Sequence, residues 1–389
     1  MKICILSPAY LPHMGGVEIV TYYMAKELSI LGHEVHIVTS EERTERDENF
    51  PDDMFSNNMF FVHRLHLPFM NVISHNSILK SMLFIISAFI EVRRIRPDIV
   101  HAQNFVPSIP AYFSKVFFNI PYAICVHTEK FNLTGWGIVL PLFLKKYWPS
   151  LPHIKHSDMI FALTDNTRLE IQKYLNKNSI TVPNGVDLDL FKPDQLRSIA
   201  QPDIPNIACI SRLVKDKGIE CALHAMVLIV ERYPNSKLII IGDGIIRQEL
   251  KNLTNSLGIE KNVEFIGEVP NYDIPKYLAS VNIYLLTSFR EGFPLSLLEA
   301  MAIGLPIIST PVEIAQNILD ECNNGYLIPM RDPHAICEAA IKITENPEIK
   351  VMFSKNSADR AKEYSWSKII KLYEEEYYKI LGCDPENTW

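Results

Sequence analysis

Short runs of aliphatic residues alternate with longer segments of helical periodicity along the chain. The first run, KICIL at 2–6, leads through a loop into a segment at 17–32 whose apolar residues recur every three or four positions. Gly32 marks the end of this predicted helix, because glycine readily adopts the left-handed conformation that ends many helices. Further strands of the first half are predicted at 33–40, 98–102, 122–127, 159–163 and 180–184. This alternation favours a parallel sheet covered by helices.

The alternation stops at 192–206, where three prolines interrupt a segment without periodicity. We predict a linker there. The pattern then resumes, with strands predicted at 206–211, 237–242, 263–267, 282–286 and 306–310. The chain is therefore predicted to be an α/β protein with two doubly wound, Rossmann-like domains, 1–195 and 196–365, and a ligand cleft between them.

A last segment, 364–381, has the periodicity of one amphipathic helix. The pattern by itself does not say which surface this helix packs against. We assign 366–389 to a separate C-terminal helical segment.

Composition and charge exclude several classes of protein. The chain has 389 residues, of which 48% are hydrophobic and 21% charged, and its formal net charge is −7. An acidic balance argues against a nucleic-acid partner, because that affinity depends on basic surfaces that neutralise phosphates. The seven cysteines lack zinc-site spacing, and the N-terminus lacks the features of a signal peptide. We therefore expect a cytoplasmic chain with reduced thiols.

Two apolar segments need separate interpretation. Segments 78–90 and 136–148 are shorter than the ~20 apolar residues of a spanning helix, and both are candidates for buried helices. The second also combines bulky apolar residues with Lys145 and Lys146, a pattern that fits a helix lying on a membrane. A peripheral contact at the inner face of the membrane is the alternative for this segment.

Two glycine loops follow predicted strands and precede predicted helices. Gly15 and Gly16 would let the backbone approach an anion at a helix N-terminus, although an ordinary turn has the same composition. Gly242 and Gly244 form a similar loop, but Arg247 stands where a dinucleotide-binding fingerprint has its third glycine. The pattern therefore argues against an NAD site.

Arg212 and Lys217 lie in the loop after the first strand of the second half. A planar guanidinium and a point-charge ammonium together suit a diphosphate. A solvated, charged turn is the alternative interpretation.

The segment EGFPLSLLE at 291–299 carries two carboxylates around a predicted helix start. With Pro294 as the first helical residue, the next three amides, those of Leu295, Ser296 and Leu297, would be free to hold an anion. Glu299 lies on an apolar helix face, so its carboxylate needs donors. The two hydroxyls of a ribose would supply them, and an internal Arg or Lys is the alternative. Glu291, in the preceding loop, could contact a second polyhydroxy group.

Other arrangements of these residue types are less informative. Two carboxylates from one loop and helix do not fit glycoside hydrolysis, which needs them on opposite sides of the scissile bond. Asp187 and Asp189 form a DxD that could bind a metal diphosphate or simply belong to a turn. His127 ends a predicted strand, where it could face a ligand or be a packed core residue.

Several stretches, in this order, resemble the retaining GT-B glycosyltransferases of family 4. The resemblance covers nearly the whole chain, and its most specific element is EGFPLSLLEAMAIGLPIIST at 291–310. The other matching stretches are PAYLPHMGGVE, GHEVHIVT, RPDIVHAQ, HSDMIFALT, VPNGVDLDLF, SRLVKDKGIE and GDGIIRQEL. One departure is the loop at 313–317, where the family has Gly-Gly followed by Pro-Glu.

The resemblance implies transfer of a sugar from a nucleotide diphosphate to a hydroxyl of a glycan, lipid-linked or small-molecule acceptor, with retention of configuration and without a metal or another cofactor. Arg212 and Lys217 would hold the diphosphate, Glu291 the sugar hydroxyls and Glu299 the ribose, while His127 would lie near the reacting sugar. The residues implied in donor binding are Gly15, Gly16, Gly244, Phe293, Pro294 and Leu295. The last helix, around Trp366, would cross back to the first domain.

Two other functions remain open at this stage. One is a nucleotide-sugar epimerase or a phosphorylase on a similar fold. The other is a protein that binds a nucleotide sugar without catalysis.

Overall fold

The computed structural model describes most of the chain. Its described residues are 1–11, 15–40, 59–65, 77–127, 152–192 and 203–383. The chain divides into two compact units. The first consists of Met1–Asn184 together with Trp366–Trp389, and the second of Gly185–Ser365. The first unit thus contains the C-terminal helix, and the boundary between the units precedes the predicted linker, most of which is outside the described residues.

The first unit is a parallel α/β unit. Its described strands are β1 (Lys2–Leu6), β2 (Glu34–Thr39), β3 (Phe61–Arg64), β4 (Ile99–Gln103), β5 (Tyr122–Val126), β6 (Met159–Ala162) and β7 (Ile180–Thr181). Its described helices are α1 (Gly16–Ile30), α2 (Ser77–Ile95), α3 (Ser108–Phe118), α4 (Pro152–Lys155), α5 (Asp165–Leu175) and, at the end of the chain, α13 (Trp366–Leu381). The strand order is β3-β2-β1-β4-β5-β6-β7, with every described pair parallel.

The second unit repeats this architecture. Its strands are β8 (Ile207–Ile210), β9 (Leu238–Ile241), β10 (Val263–Gly267), β11 (Ile283–Leu286), β12 (Ile307–Ser309) and β13 (Gly325–Leu327). Its α-helices are α6 (Ile219–Arg232), α7 (Arg247–Ser256), α8 (Ile274–Ala279), α9 (Leu295–Ile303), α10 (Glu313–Cys322), α11 (Pro333–Glu345) and α12 (Pro347–Ala361). The order β10-β9-β8-β11-β12-β13 is that of a doubly wound sheet, whose strand order reverses between β8 and β11.

Burial explains why these runs form central strands. The side chains of β4, β5, β9 and β11 are buried along their whole length, as expected for parallel strands covered on both faces. The predicted runs of both halves are confirmed as strands, with small changes at their ends. The run predicted at 180–184 is a strand over only two residues, since Pro183 has no amide to donate to a neighbouring strand.

Two edge strands, β3 and β13, were not predicted from the sequence pattern. β3 is partly exposed and carries His63 and Arg64, and β13 has only three residues, beginning at Gly325. Neither has the long aliphatic run that identifies a central strand.

The two apolar segments have different outcomes. Segment 78–90 is part of α2, but this helix is buried on one side only, and Met82, Ile86 and Ile90 are exposed. Segment 136–148 lies outside the described residues. No helix in the described part of the chain has the length and apolar character needed to cross a membrane.

Helix α13 packs within the first unit through aromatic side chains. Trp366 stacks on Tyr23 of α1, with ring centroids 5.6 Å apart. Tyr377 is fully buried, and its hydroxyl shares a hydrogen bond of 2.7 Å with Nδ1 of His101 in β4. Burial lowers the pKa of His101 to about 3, so the ring is neutral and Tyr377 stabilises it through a hydrogen bond between neutral groups.

We expect Tyr377→Phe to lower the free energy of unfolding by about 1–3 kcal/mol, because it removes the partner of a buried ring nitrogen. The other nitrogen, Nε2, already lacks a partner among the described atoms. Urea denaturation followed by circular dichroism measures the change. Tyr378→Phe is the matched control, since Tyr378 is only partly buried on the same helix. Equal effects of the two variants would contradict a stabilising role for the His101 contact.

Candidate functional site

Two loops of the second unit leave the sheet at its reversal point. β8 and β11 are parallel neighbours, and the loops 211–218 and 287–294 follow their carboxyl ends. Doubly wound sheets bind ligands at this position, because adjacent loops diverge there and leave a crevice. The topology therefore places the loop that carries Arg212 and Lys217 next to the loop that carries Glu291.

Hydrogen bonds connect these two loops. The Thr287 hydroxyl donates to the carbonyl of Lys217 at 2.7 Å, and the amide of Phe289 donates to the carbonyl of Asp216 at 2.8 Å. Gly218 has a φ of 62°, and a Cβ added to it would lie 2.5 Å from the carbonyl oxygen of Thr287. Glycine is needed at this position for both reasons. The loops are thus held in a defined arrangement.

Lys217 and Glu291 form a largely buried ion pair. The ammonium lies 2.7 Å from Glu291 Oε1, and the two side chains are only 10% and 13% exposed. The Ser288 hydroxyl donates a hydrogen bond of 2.5 Å to the same oxygen. Two residues that the sequence predicted to be catalytic therefore belong to one charged cluster, with Ser288 as a member that the sequence reading missed.

Arg212 lies in the same loop but is exposed, and it forms no ion pair with a described residue. Its neighbour Leu213 donates its amide to the Asp243 carbonyl at 2.8 Å. A Cβ at Gly244 would lie 2.3 Å from the Leu213 carbonyl oxygen, so only glycine fits there. Gly244 therefore has a packing role under the loop that carries Arg212. Its predicted contact with a donor stays a prediction.

Arg247 explains the missing third glycine of this loop. It is the first residue of α7, and its guanidinium donates to Asp243 Oδ2 at 2.9 Å. The loop is thus closed by an ion pair rather than by close backbone packing around a dinucleotide.

Helix α9 begins one residue later than predicted. Pro294 precedes the helix in an extended conformation, and the Leu297 amide donates to the Pro294 carbonyl at 3.2 Å. Of the three amides predicted to be free, those of Leu295 and Ser296 stand before the first intrahelical bond. Phe293 is buried and contacts the ring of Tyr364, with centroids 6.1 Å apart.

Glu299 is buried on α9. Its carboxylate accepts a hydrogen bond of 2.7 Å from the Asn271 side-chain amide, and burial raises its pKa to about 7. Among the described residues this amide is the partner of the carboxylate, so the alternative of an internal Arg or Lys partner is wrong. Asn271 was missed by the sequence reading, because nothing local connects it to a residue 28 positions away.

In the first unit, His127 follows β5 and is positioned by residues from the end of β4. Its amide donates to Asn104 Oδ1 at 3.0 Å, and its Nε2 lies 2.5 Å from Gln103 Oε1. The Gln103 amide nitrogen faces the sulfur of Met24 at 3.6 Å, which leaves the amide oxygen as acceptor for the ring. Burial lowers the pKa of His127 to about 4. The ring is therefore neutral near pH 7, with its proton on Nε2 and an acceptor lone pair on Nδ1.

The two N-terminal glycines differ in their surroundings. Gly15 precedes α1, and a Cβ there would lie 2.3 Å from the Glu18 carboxylate. A Cβ at Gly16 would meet no atom of the described residues within 4 Å. Packing within the protein therefore does not require glycine at position 16, and its predicted donor contact stays a prediction.

The DxD is part of a turn. Asp187 Oδ1 accepts the amides of Asp189 and Leu190, at 2.9 and 3.0 Å, and Asp189 pairs with Lys192. In the described part of the chain, no group of three or more His, Cys, Asp or Glu side chains is arranged to hold a metal ion.

The segment that departs from the family pattern, 313–317, is helical. Helix α10 begins at Glu313, four residues after β12 ends. A carboxylate in the first turn suits the positive end of a helix.

Two family descriptions match consecutive parts of the chain. The description "Glycosyltransferase Family 4" matches residues 14–190, and "Glycosyl transferases group 1" matches residues 193–360. Together they span most of both units.

Curated relatives and solved structures are similar over nearly the full length. The N-acetyl-alpha-D-glucosaminyl L-malate synthase of Bacillus anthracis is 28% identical, with 96% of each chain covered. The alpha-monoglucosyldiacylglycerol synthase of Acholeplasma laidlawii is 25% identical, with 98% of each covered. The structure of sucrose-phosphate synthase from Thermosynechococcus elongatus has a TM-score of 0.81 at 19% identity, over 98% of this chain and 99% of that one. This likeness confirms the predicted GT-B fold class.

We expect Gln103→Glu to raise the pKa of His127 by roughly 1–3 pH units, because a carboxylate beside the ring favours its charged form. An NMR titration of the histidine ring measures the pKa directly. Gln248→Glu is the control, since Gln248 is exposed on α7 in the other unit. An unchanged pKa in the Gln103 variant would show that residue 103 does not contact the ring.

Glu299→Gln should change how stability depends on pH. In the wild type, the folded carboxyl keeps its proton up to about pH 7, whereas the unfolded one loses it near its ordinary pKa of 4.5. The unfolded state therefore binds fewer protons between these values, and the free energy of unfolding falls as the pH rises, by roughly 3 kcal/mol at most. In the Gln variant the free energy of unfolding does not fall for this reason, so its stability relative to the wild type should increase between pH 5 and pH 8.

Urea denaturation at the two pH values tests this expectation. Glu260→Gln, at an exposed position of the same unit, controls for the loss of a carboxylate. A difference between Glu299→Gln and the wild type that is the same at both pH values would mean that Glu299 titrates near its ordinary pKa.

Proposed function

The chain belongs to glycosyltransferase family 4 and is a glycosyltransferase, and we propose that it transfers a sugar from a nucleotide-diphosphate donor to an acceptor hydroxyl, with retention of configuration and without a metal. The observation that carries this proposal is the Lys217–Glu291 ion pair at the reversal point of the second sheet. It combines a cation for the diphosphate with a carboxylate for sugar hydroxyls.

Charge at the leaving group supports this assignment. As the bond from the sugar carbon to the phosphate oxygen breaks, negative charge grows on the diphosphate and positive charge on the sugar. Lys217 has three N–H donors, of which Glu291 accepts one at 2.7 Å and the Arg290 carbonyl accepts another at 3.5 Å, so the third is available to a phosphate oxygen. Arg212, exposed in the same loop, adds a second cation. Fixed cations at the leaving group are a large electrostatic contribution to such reactions.

The environment of Glu299 supports a role in holding the nucleotide. A ribose diol offers two O–H donors, and the carboxylate has one described donor, Asn271. A diol that binds there would compensate part of the desolvation that raises the carboxyl pKa. Donor binding in this proposal therefore shifts Glu299 toward its ionised form.

In the proposed reaction, the departing diphosphate takes the proton of the acceptor hydroxyl, so no side chain is needed as a base. The acceptor oxygen forms the new bond to the sugar carbon, and the proton of its hydroxyl passes to the departing diphosphate. In this proposal, His127 accepts a hydrogen bond from a sugar hydroxyl at Nδ1, consistent with its neutral ring.

The names of the relatives indicate acceptors as different as L-malate and a diacylglycerol lipid. The proposal therefore specifies an acceptor hydroxyl and leaves glycan, lipid-linked and small-molecule acceptors as its classes.

We expect Lys217→Ala to weaken binding of the nucleoside diphosphate and to lower kcat/KM by roughly 10²–10³-fold, the usual cost of losing a group that stabilises developing charge. Calorimetry with UDP-, GDP- and ADP-sugars and their diphosphates, followed by a transfer assay on any binder, measures both effects. Lys215→Ala is the matched control, because Lys215 lies in the same loop but is exposed and faces Glu249.

Glu291→Gln separates binding of the sugar hydroxyls from binding of the diphosphate. It keeps a side chain that can bond to Ser288 and should lower sugar transfer while the diphosphate alone still binds. Chelation by EDTA should leave the wild-type rate unchanged. A panel in which no sugar nucleotide binds, or in which Lys217→Ala and Lys215→Ala behave alike, would contradict the proposal.

A further inference from the structure

One side of α2 exposes a stripe of aliphatic side chains. Leu79, Met82, Ile86 and Ile90 recur every three or four residues and therefore lie on one helix face, and all four are exposed. Surface helices of globular proteins normally place polar residues there. The opposite side of α2 packs into the core through Phe84, Ala88 and Val92.

Helix α3 extends this apolar surface. Phe113, Val116, Phe117 and Phe118 are exposed near its C-terminal end. Phe89 of α2 joins the two helices, since its ring centroid lies 5.5–6.3 Å from those of Phe113, Phe117 and Phe118. We call the surface formed by Met82, Ile86, Ile90, Phe113, Val116, Phe117 and Phe118 the α2–α3 face.

The exposure of this face is large for bulky apolar residues. The five most exposed, Met82, Ile86, Ile90, Val116 and Phe117, retain 54–66% of their accessible surface. Single exposed apolar residues are common on proteins, but a contiguous group on two packed helices typically marks an interaction site.

Basic residues border the face. Arg93 and Arg94 continue the stripe at the end of α2, and the Arg93 guanidinium lies 6.0 Å from the centre of the Phe118 ring. Arg94 is strongly exposed, although it also pairs with Glu91. Helices α2 and α3 together carry four basic residues (Lys80, Arg93, Arg94 and Lys115) and one acidic residue, the buried Glu91. Lys115 pairs with Asp158 of the same unit, so the excess positive charge comes from Lys80, Arg93 and Arg94. This local excess of positive charge contrasts with the net charge of −7 of the whole chain.

We propose that the α2–α3 face docks the protein on the surface of a bilayer that contains anionic lipids. The aliphatic and phenyl side chains enter the interface between headgroups and acyl chains, while Arg93 and Arg94 contact lipid phosphates. Bulky apolar residues beside a basic border fit such a surface, because burial and electrostatic attraction then act together. If two copies of the chain associated through this face, their positive borders would come together and repel each other.

This inference goes beyond the proposed function and does not depend on it. It also differs from the membrane contact predicted at 136–148, which lies outside the described residues. In combination with a transferase, docking would bring the protein to acceptors that reside at a membrane.

Vesicle co-sedimentation of the full chain tests the proposal. We expect binding to vesicles of phosphatidylcholine mixed with phosphatidylglycerol, and weaker binding to phosphatidylcholine alone. The double variant Ile86→Gln/Phe117→Ser should bind the mixed vesicles at least about tenfold more weakly, since each buried side chain of this size contributes more than the free energy of a tenfold change. Arg93→Gln/Arg94→Gln should weaken binding to the mixed vesicles and reduce its salt dependence.

The control is Leu169→Gln/Val351→Gln, because these residues are 51% and 67% exposed and lie outside the face. Circular dichroism and nucleotide calorimetry on the same variants separate docking from folding and from the proposed reaction. The proposal is overturned if the wild type binds neither vesicle, or if the face variant binds as well as the control. A wild-type dimer in sedimentation analysis that the face variant dissociates would also overturn it, by assigning the face to contacts between copies.

Discussion

The buried ion pair between Lys217 and Glu291 is the contact on which the arrangement of the candidate site depends. A charged group loses most of its hydration when it is buried, so each partner needs the other and further hydrogen bonds. Ser288 supplies one such bond, and the backbone contacts of Thr287 and Phe289 hold the two loops together. These contacts are possible because β8 and β11 are adjacent and parallel, so that their loops leave the sheet side by side.

The two carboxylates of the 291–299 segment have different environments despite their short separation. Glu291 is stabilised by a cation and a hydroxyl, whereas Glu299 has an amide as its described partner and its pKa is raised by burial. Carboxylates whose environments differ in this way can perform different tasks in one site. In the proposed function, Glu291 contacts hydroxyls of the reacting sugar and Glu299 binds the neutral ribose diol.

The first unit combines a histidine that is held by neighbouring side chains with a helix that is apolar on an exposed side. His127 is kept neutral by burial and oriented by Gln103, so it can act as a hydrogen-bond acceptor without adding positive charge. Helix α2 has two contrasting sides: Phe84 and Ala88 belong to the core, and Ile86 and Ile90 are exposed beside basic residues. A binding surface can therefore coexist with a well-packed sheet, since the two requirements fall on different faces of one helix.

The sequence by itself determined the alternation of strands and helices, the fold class and the segments that carry the candidate site. These features depend on local periodicity and on motifs such as EGFPLSLLE, which can be read within a window of a few residues. Periodicity also identified α2 as a helix, but only the tertiary structure showed that one of its apolar sides is exposed, because burial depends on what packs against it. The edge strands β3 and β13 were missed for a related reason: they are short or partly polar and are strands because a neighbour pairs with them. The partners Asn271 of Glu299, Gln103 of His127 and Glu291 of Lys217 come from distant parts of the chain, and only folding brings their side chains within hydrogen-bond distance.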